Sequence, residues 1–170
     1  AALGTSAPAP VRSAAQRRTN LTAEPDLFVG RALDLAALEA RFAEGRLVSL
    51  VGPPGAGKTR LARHFAYHWL AENAASGESV WFCDLAEART LDGVCFAVAR
   101  TLDVPLGRED PREQLGRAIA SRGRCLVILD NFEQVAEHAP ETVARWRRQA
   151  PAGAGGGVSG DQPGHAGPLW

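Results

Sequence analysis

Gly52, Gly57, Lys58 and Thr59 stand at the spacing G-x-x-x-x-G-K-T in the run Gly52-Pro53-Pro54-Gly55-Ala56-Gly57-Lys58-Thr59. Residues of these types at this spacing can hold a row of phosphates. Gly52 and Gly57 are expected to adopt backbone conformations that a Cβ would forbid, so that consecutive N–H groups point inward at an anion. A helix starting near Gly57 adds its positive end to the same spot. Lys58 would reach the outer phosphates, and the Thr59 hydroxyl would ligate Mg²⁺. A turn that serves only as a connector is the bland alternative. The lysine, the hydroxyl and both flanks in register argue against it.

A second candidate lies far downstream, where Cys125-Leu126-Val127-Ile128-Leu129 ends in Asp130. An acid closing a buried strand after such a loop supports Mg²⁺, largely through water, because this ion gives up its hydration shell reluctantly. Asn131, Phe132 and Glu133 follow. Asn131 cannot take a proton. Glu133 is the nearest acid and stands as a candidate to orient an attacking water. It is equally readable as the first turn of a helix, where an acid suits the positive end.

These residues need elements to place them. The apolar run at 47–51 predicts a strand leading into the loop, and Leu61, Phe65 and Trp69 predict a helix over 58–73. Leu35, Leu38 and Phe42 predict an earlier helix over 32–44, with Gly45 as its stop. A strand at 80–84 closes on Asp84, and helices are expected over 91–102, 112–121 and 133–149. Pro111 suits the first position of the second of these. Continuous apolar strands belong to a parallel sheet covered on both faces, and strands alternating with helices give an α/β class. In such sheets ligands sit at the carboxyl ends of the strands, where both Gly52 and Asp130 fall. His64, His68 and Glu72 recur every four residues, but no matching ligands lie nearby, so a solvated helix face is the simpler reading.

The 170 residues carry 19 Lys and Arg against 19 Asp and Glu, so no global charge points to nucleic acid or an anionic membrane. No apolar run approaches the length that spans a bilayer, and no signal peptide opens the sequence. Cys83, Cys95 and Cys125 all lie in apolar runs and read as core residues in a reduced, cytoplasmic compartment. Asn20-Leu21-Thr22 matches a glycosylation acceptor, here a chance match without a secretory signal. Residues 1–24 are rich in Ala, Pro, Ser and Arg and are expected to form a disordered linker. Residues 25–149 then form a phosphate-loop NTPase domain. Residues 150–170 turn Gly- and Pro-rich, with no strand signal, and are expected to be a disordered tail. The chain starts at Ala1 and contains no methionine, so it is expected to be a fragment, with a frameshift or truncation after Arg148.

Thr19-Asn20-Leu21, Phe28-Val29-Gly30-Arg31, Gly52 to Ala62, Val80-Trp81-Phe82 and Leu129-Asp130-Asn131-Phe132-Glu133 together resemble the bacterial predicted ATPases of the STAND group, relatives of NB-ARC and AAA+ domains. The resemblance covers residues 19–148. It implies a three-layer P-loop NTPase sandwich with a mostly parallel sheet. ATP or ADP would be held by Val29, Gly30 and Arg31 against the adenine, and by Gly52, Pro53, Gly55, Ala56, Gly57, Lys58, Thr59 and Arg60 at the phosphates. Thr59 and Asp130 would serve Mg²⁺, with Lys58, Asp130 and Glu133 as the catalytic set. The family usually has an acid after the matching Arg, whereas this chain has Ala32. The family also continues with a further strand, lying between those that carry Lys58 and Asp130. That strand is expected to be missing here, leaving the sheet C-terminally incomplete.

The reading that follows is the ATP·Mg²⁺-binding module of a signalling ATPase. It hydrolyses slowly and sets the posture of sensor and output domains outside this chain, with no contact to nucleic acid or membrane, and with oligomerisation open. A nucleotide switch that binds without turnover is the alternative, favoured by Asn131. A small kinase on the same fold is the third reading, with Arg122 and Arg124 as candidates to act on the transferred group, although they more simply flank a strand.

Overall fold

The computed structural model describes residues 18–22, 30–150 and the backbone of 155–160. The elements run α1 (Ala32–Glu44), β1 (Leu47–Val51), α2 (Lys58–Glu72), β2 (Ser79–Asp84), α3 (Leu91–Leu102), α4 (Pro111–Ser121), β3 (Cys125–Asp130), a 3-10 turn (Phe132–His138), α5 (Val143–Gln149) and β4 (Gly155–Gly160). All strand pairs are parallel, in the order β1-β4-β3-β2. The expected α/β class with a parallel sheet is the observed one.

Side chains alternate across the two well-packed strands β2 and β3, as a pleated strand requires. Trp81 and Cys83 of β2, with Cys125, Val127 and Leu129 of β3, face a core built with α3 and α4, where Val94, Val98, Leu102, Leu115 and Ile119 are buried. Val80, Phe82, Leu126 and Ile128 face the other way, onto Leu38 of α1 and Leu61 and Phe65 of α2. Phe42 and Phe65 stack there with centroids 5.1 Å apart. Three layers result, and burying each large apolar side chain contributes about 1.5–3 kcal/mol.

Local chemistry sets the helix ends. The Thr90 hydroxyl accepts the Gly93 N–H at 3.1 Å to start α3, and the Asp110 carboxylate accepts the Arg112 N–H at 2.9 Å to start α4, with Pro111 at its first position. The single helix expected over 133–149 is two pieces. Pro140 offers no N–H, so the chain takes a 3-10 turn, bends, and restarts as α5 at Val143.

Two expectations about the ends are corrected. The strand expected to be missing is present: Gly155–Gly160 lies between β1 and β3, pairing Leu47 with Gly156 and Leu126 with Gly155. Its glycines carry no strand propensity, so the sequence hid it. Yet backbone pairing on both sides needs no side chain, and the sheet is closed at its middle. At the other end, residues 18–22, assigned to the linker, lie along the free edge of β2. Thr19 bridges Val80 in parallel, and the Val80 N–H donates to the Arg18 carbonyl at 2.8 Å. The Asn20 side chain imitates a peptide group there. Its amide donates to the Phe82 carbonyl at 2.7 Å while its oxygen accepts the Phe82 N–H at 2.8 Å. A sheet edge covered in this way is no longer a template for other chains.

Candidate nucleotide site

The loop between β1 and α2 opens at the carboxyl end of β1. Gly55 and Gly57 have φ of +76° and +74°, the left-handed region that L side chains rarely adopt, so glycine is required there on conformational grounds. The same expectation for Gly52 is not met. Its φ is not positive, and an added Cβ would meet Ala56 and Lys58 at an ordinary 3.8 Å. Gly57 then caps α2 without any side-chain hydrogen bond, and no acid stands in the helix's first turn. The positive end of α2 is thus offered to the loop, where an anion would take the place of a cap.

The Lys58 ammonium bridges the Gly52 and Pro53 carbonyls at 3.0 Å each, so its charge lies across the loop. Arg31, at the start of α1, reaches the same place: its guanidinium lies 3.6 Å from where a Cβ on Gly57 would stand, and its Nε pairs with Asp34 at 3.0 Å. Gly30, with φ of +91°, turns the chain into α1. Val29 lies outside the described residues. Pro53, Ala56 and Arg60 follow the loop, with the Ala56 N–H donating to the Pro53 carbonyl at 3.2 Å.

Thr59 and Asp130 are 71 residues apart in sequence and in contact in space. The Thr59 hydroxyl lies 2.9 Å from Asp130 Oδ2 and 3.1 Å from Oδ1. Asp130 is 3% exposed. A buried carboxylate beside a hydroxyl offers the oxygen donors that suit a hard divalent ion such as Mg²⁺. Thr59 and Asp130 are the residues that would hold one.

Beyond Asp130 the chain turns sharply. Asn131 has φ of +59°, uncommon for a side-chain-bearing residue and easiest for Asn, and its amide donates to Asp84 Oδ1 at 2.8 Å. Asp84 and Asp130 are register partners at the ends of β2 and β3. Asp84 Oδ1 also accepts the Ala86 N–H at 2.9 Å, and Gln134 donates to the Leu85 and Ala86 carbonyls at 3.2 Å each. Sequence reading placed Asp84 only as a strand end. The signal was the apolar run 80–83 closing on an acid, the pattern already used for Asp130. Glu133, in the first turn after Asn131, has its Oε2 buried without a hydrogen-bond partner.

Other candidates fall away. Arg122 donates to the Ala118 and Leu102 carbonyls and covers the Trp81 ring, while Arg124 pairs with Glu78 at 3.1 Å. Both precede β3, at the end of the parallel sheet opposite the loop, so neither reaches a group bound there. His68 contacts Glu39 and Glu72 at 3.4 and 3.6 Å on an exposed helix face, and no metal cluster of His, Cys, Asp and Glu forms among the described residues. Burial pushes the thiols of Cys83, Cys95 and Cys125 up, to about 12, 11 and 11. They are core groups, unreactive at neutral pH. Asn20 spends its amide on β2 and is no glycan acceptor. No helix among the described residues is long and apolar enough to cross a membrane.

With this geometry in view, the similarities to known proteins are informative. The sequence is 28% identical over 124 residues to the uncharacterized protein Rv0894 of Mycobacterium tuberculosis and to the uncharacterized protein Mb0918 of Mycobacterium bovis. The match takes in 73% of this chain but 31% of each relative, so the chain spans about a third of their length. The fold resembles the Aeropyrum pernix ORC1 protein, solved in complex with DNA, at a TM-score of 0.65 and 20% identity, over 81% of this chain and 40% of that one. It also resembles the Aeropyrum pernix ORC2 protein, solved as ADPNP–ADP complexes, at a TM-score of 0.61 and 18% identity, over 88% and 45%. Likeness to CDC6P of Pyrobaculum aerophilum is 0.59 in TM-score, at 14% identity over 89% and 43%. At such identities these structures speak for the fold. Residues 41–157 match the AAA domain family, a stretch that runs from α1 through the phosphate loop and Asp130 into β4. The chain belongs to the AAA domain family of P-loop ATPase domains.

Proposed function

We propose that this chain is the ATP·Mg²⁺-binding module of a regulatory ATPase of the STAND kind, which hydrolyses ATP slowly to ADP and passes the nucleotide state to sensor and output domains elsewhere in its parent protein. The observation that carries the reading is the 2.9 Å contact between the Thr59 hydroxyl and the buried Asp130 carboxylate, which joins the phosphate loop to the strand beyond β4. The loop amides and the first turn of α2 bind the phosphates, and Lys58 neutralises the outer two. Gly30 and Arg31 approach the loop from α1, on the side where the resemblance puts the adenine, and favour ATP over GTP. When bound, Mg²⁺ supplies charge neutralisation of the β- and γ-phosphates. Thr59 and Asp130 are the residues that would hold it, Asp130 largely through water.

Slow turnover is expected because Asn131, which directly follows Asp130, cannot itself accept a proton from a water. The experiment is a titration of the whole chain with a fluorescent ATP analogue, with and without Mg²⁺, beside a multiple-turnover phosphate-release assay. Mg²⁺-dependent binding and slow release are expected. Asp130→Asn should erase the Mg²⁺ dependence while leaving metal-free binding within about threefold. Indifference of the parent chain to nucleotide would end the proposal. The kinase reading loses its candidates, because Arg122 and Arg124 lie at the far end of the sheet. The non-hydrolysing switch would be favoured by binding without any phosphate release.

A further inference from the structure

Resting on the ATPase reading, we infer that Asp84 is the carboxylate that orients the attacking water, and that Asn131 is the positioning residue that holds it. The sequence offered Glu133 for this task because it is the next acid after Asp130. The geometry points to Asp84 instead. Asp84 ends β2 in register with Asp130 at the end of β3, so the two carboxylates leave the same edge of the sheet one strand spacing apart, about 4.8 Å. A water lodged between the two carboxylates would stand beside a metal held at Asp130. Asp84 is exposed at this edge, whereas Oε2 of Glu133 is buried within the protein.

The carboxylate is also held. Asn131 donates to Oδ1 at 2.8 Å and the Ala86 N–H donates to the same oxygen at 2.9 Å. Gln134 ties the following loop by its two bonds to the Leu85 and Ala86 carbonyls, and the Leu85 N–H donates to the Asp130 carbonyl at 3.0 Å. Asn131 takes a left-handed backbone to make its contact. An uncommon conformation of this kind persists where the surroundings over-determine it, and such positions gather at functional sites. The exchange of types is chemically coherent: the strand that carries Asp130 supplies an amide, and the neighbouring strand supplies the acid that the amide cannot be.

In the step this serves, a water donates one O–H to the Asp84 carboxylate and its oxygen forms a bond to the γ-phosphorus. The bond from that phosphorus to the β–γ bridging oxygen breaks, and ADP leaves with the electron pair. The proton of the water ends on the released inorganic phosphate, so Asp84 is unchanged at the close of the cycle.

The test uses the whole chain and three variants, Asp84→Asn, Asn131→Ala and Glu133→Gln, with ATP-analogue affinity and kcat measured separately. Asp84→Asn is expected to lower kcat at least tenfold with affinity within twofold of the parent. Asn131→Ala should lower kcat by a smaller factor, also with affinity retained. Glu133→Gln should keep kcat within about threefold. A loss of affinity in Asp84→Asn as large as its loss of kcat would mark a structural role and overturn the inference. So would an unchanged kcat, or a parent chain that binds ATP·Mg²⁺ without releasing phosphate. A parent that binds no nucleotide would overturn the ATPase reading itself, which the binding arm detects before any variant is compared.

Discussion

The two halves of the sheet are built differently. All six residues of β3 are buried and β2 is buried up to Asp84, while β1 is at best half-buried and Val51 is 57% exposed. β4 is mostly glycine. The helices follow the same division. α3 and α4 begin with side-chain caps from Thr90 and Asp110 and acids in their first turns, whereas α2 begins at a left-handed glycine with neither. One half has spent its polar groups on itself. The other leaves its helix end and loop amides to a ligand, and the candidate site lies where the loop of the second half meets the strand ends of the first. Rigid placement of Asp130 and adaptability of the loop are thus properties of different regions.

Breaking the packed half should have the largest effect. Leu126 of β3 is fully buried, so Leu126→Ala should cost about 2–5 kcal/mol in chemical unfolding. Leu50 of β1 is half-buried, and Leu50→Ala should cost about 1 kcal/mol. Equal losses would show the two halves to be packed alike. Next comes Lys58→Ala, which removes a charge-assisted contact worth about 1.5–3 kcal/mol, roughly ten- to a hundredfold in ATP-analogue affinity. Its unfolding midpoint without nucleotide should scarcely move, because the loop belongs to the half that waits for a ligand. Unchanged affinity would reduce the loop to a connector.

Sequence legibility divides along the same line, for a physical reason. Where a function needs particular side chains in a local order, as in residues 52–59, the chain states it outright. Buried strands and several helix ends are legible too, because apolar periodicity and the chemistry of the ends cause them: Pro111 and the run ending at Asp130 both fall where the elements begin or end. β4 was illegible because pairing alone places it. Its neighbours supply the partners, and its own Gly-Gly-Gly-Val-Ser-Gly carries no pattern. The Asp84–Asn131 contact was illegible because it is made by parallel register between strands 47 residues apart, which no local spacing encodes. Pro140 was a visible signal for the break before α5 that the helix reading passed over.

The loop half can be sharpened by Gly57→Ala. A Cβ at φ of +74° costs about 1–2 kcal/mol, while its 3.6 Å approach to the Arg31 guanidinium is ordinary contact, so the backbone conformation carries the effect. Nucleotide affinity should fall by roughly tenfold, less than for Lys58→Ala. At Gly52, where φ is not positive and the space is ordinary, Gly52→Ala should fold as the parent does. A Gly52→Ala variant as unstable as Gly57→Ala would contradict the dihedral argument.

The smallest effect belongs to the surface where α4 meets α5. Arg112 Nε donates to Asp110 Oδ1 at 2.8 Å, Arg145 pairs with both Glu113 and Asp110, and Gln149 donates to Glu113 Oε2 at 2.6 Å. The hydrogen bond from Arg112 holds the Asp110 carboxyl below its ordinary range, and those from Arg145 and Gln149 do the same for Glu113. Both carboxyls therefore bind protons less readily in the folded chain than in the unfolded one. Their contribution to stability is present above the unfolded values, near pH 4, and is lost as pH falls through the lowered folded values. These groups meet solvent and are screened, so the contribution is small. Arg145→Gln should lower the thermal midpoint by a degree or two at pH 7 and low salt, and the gap should narrow as the pH falls below about 4 and again in 1 M salt. A gap indifferent to both acid and salt would mean that Arg145 acts through packing on its neighbours rather than through charge.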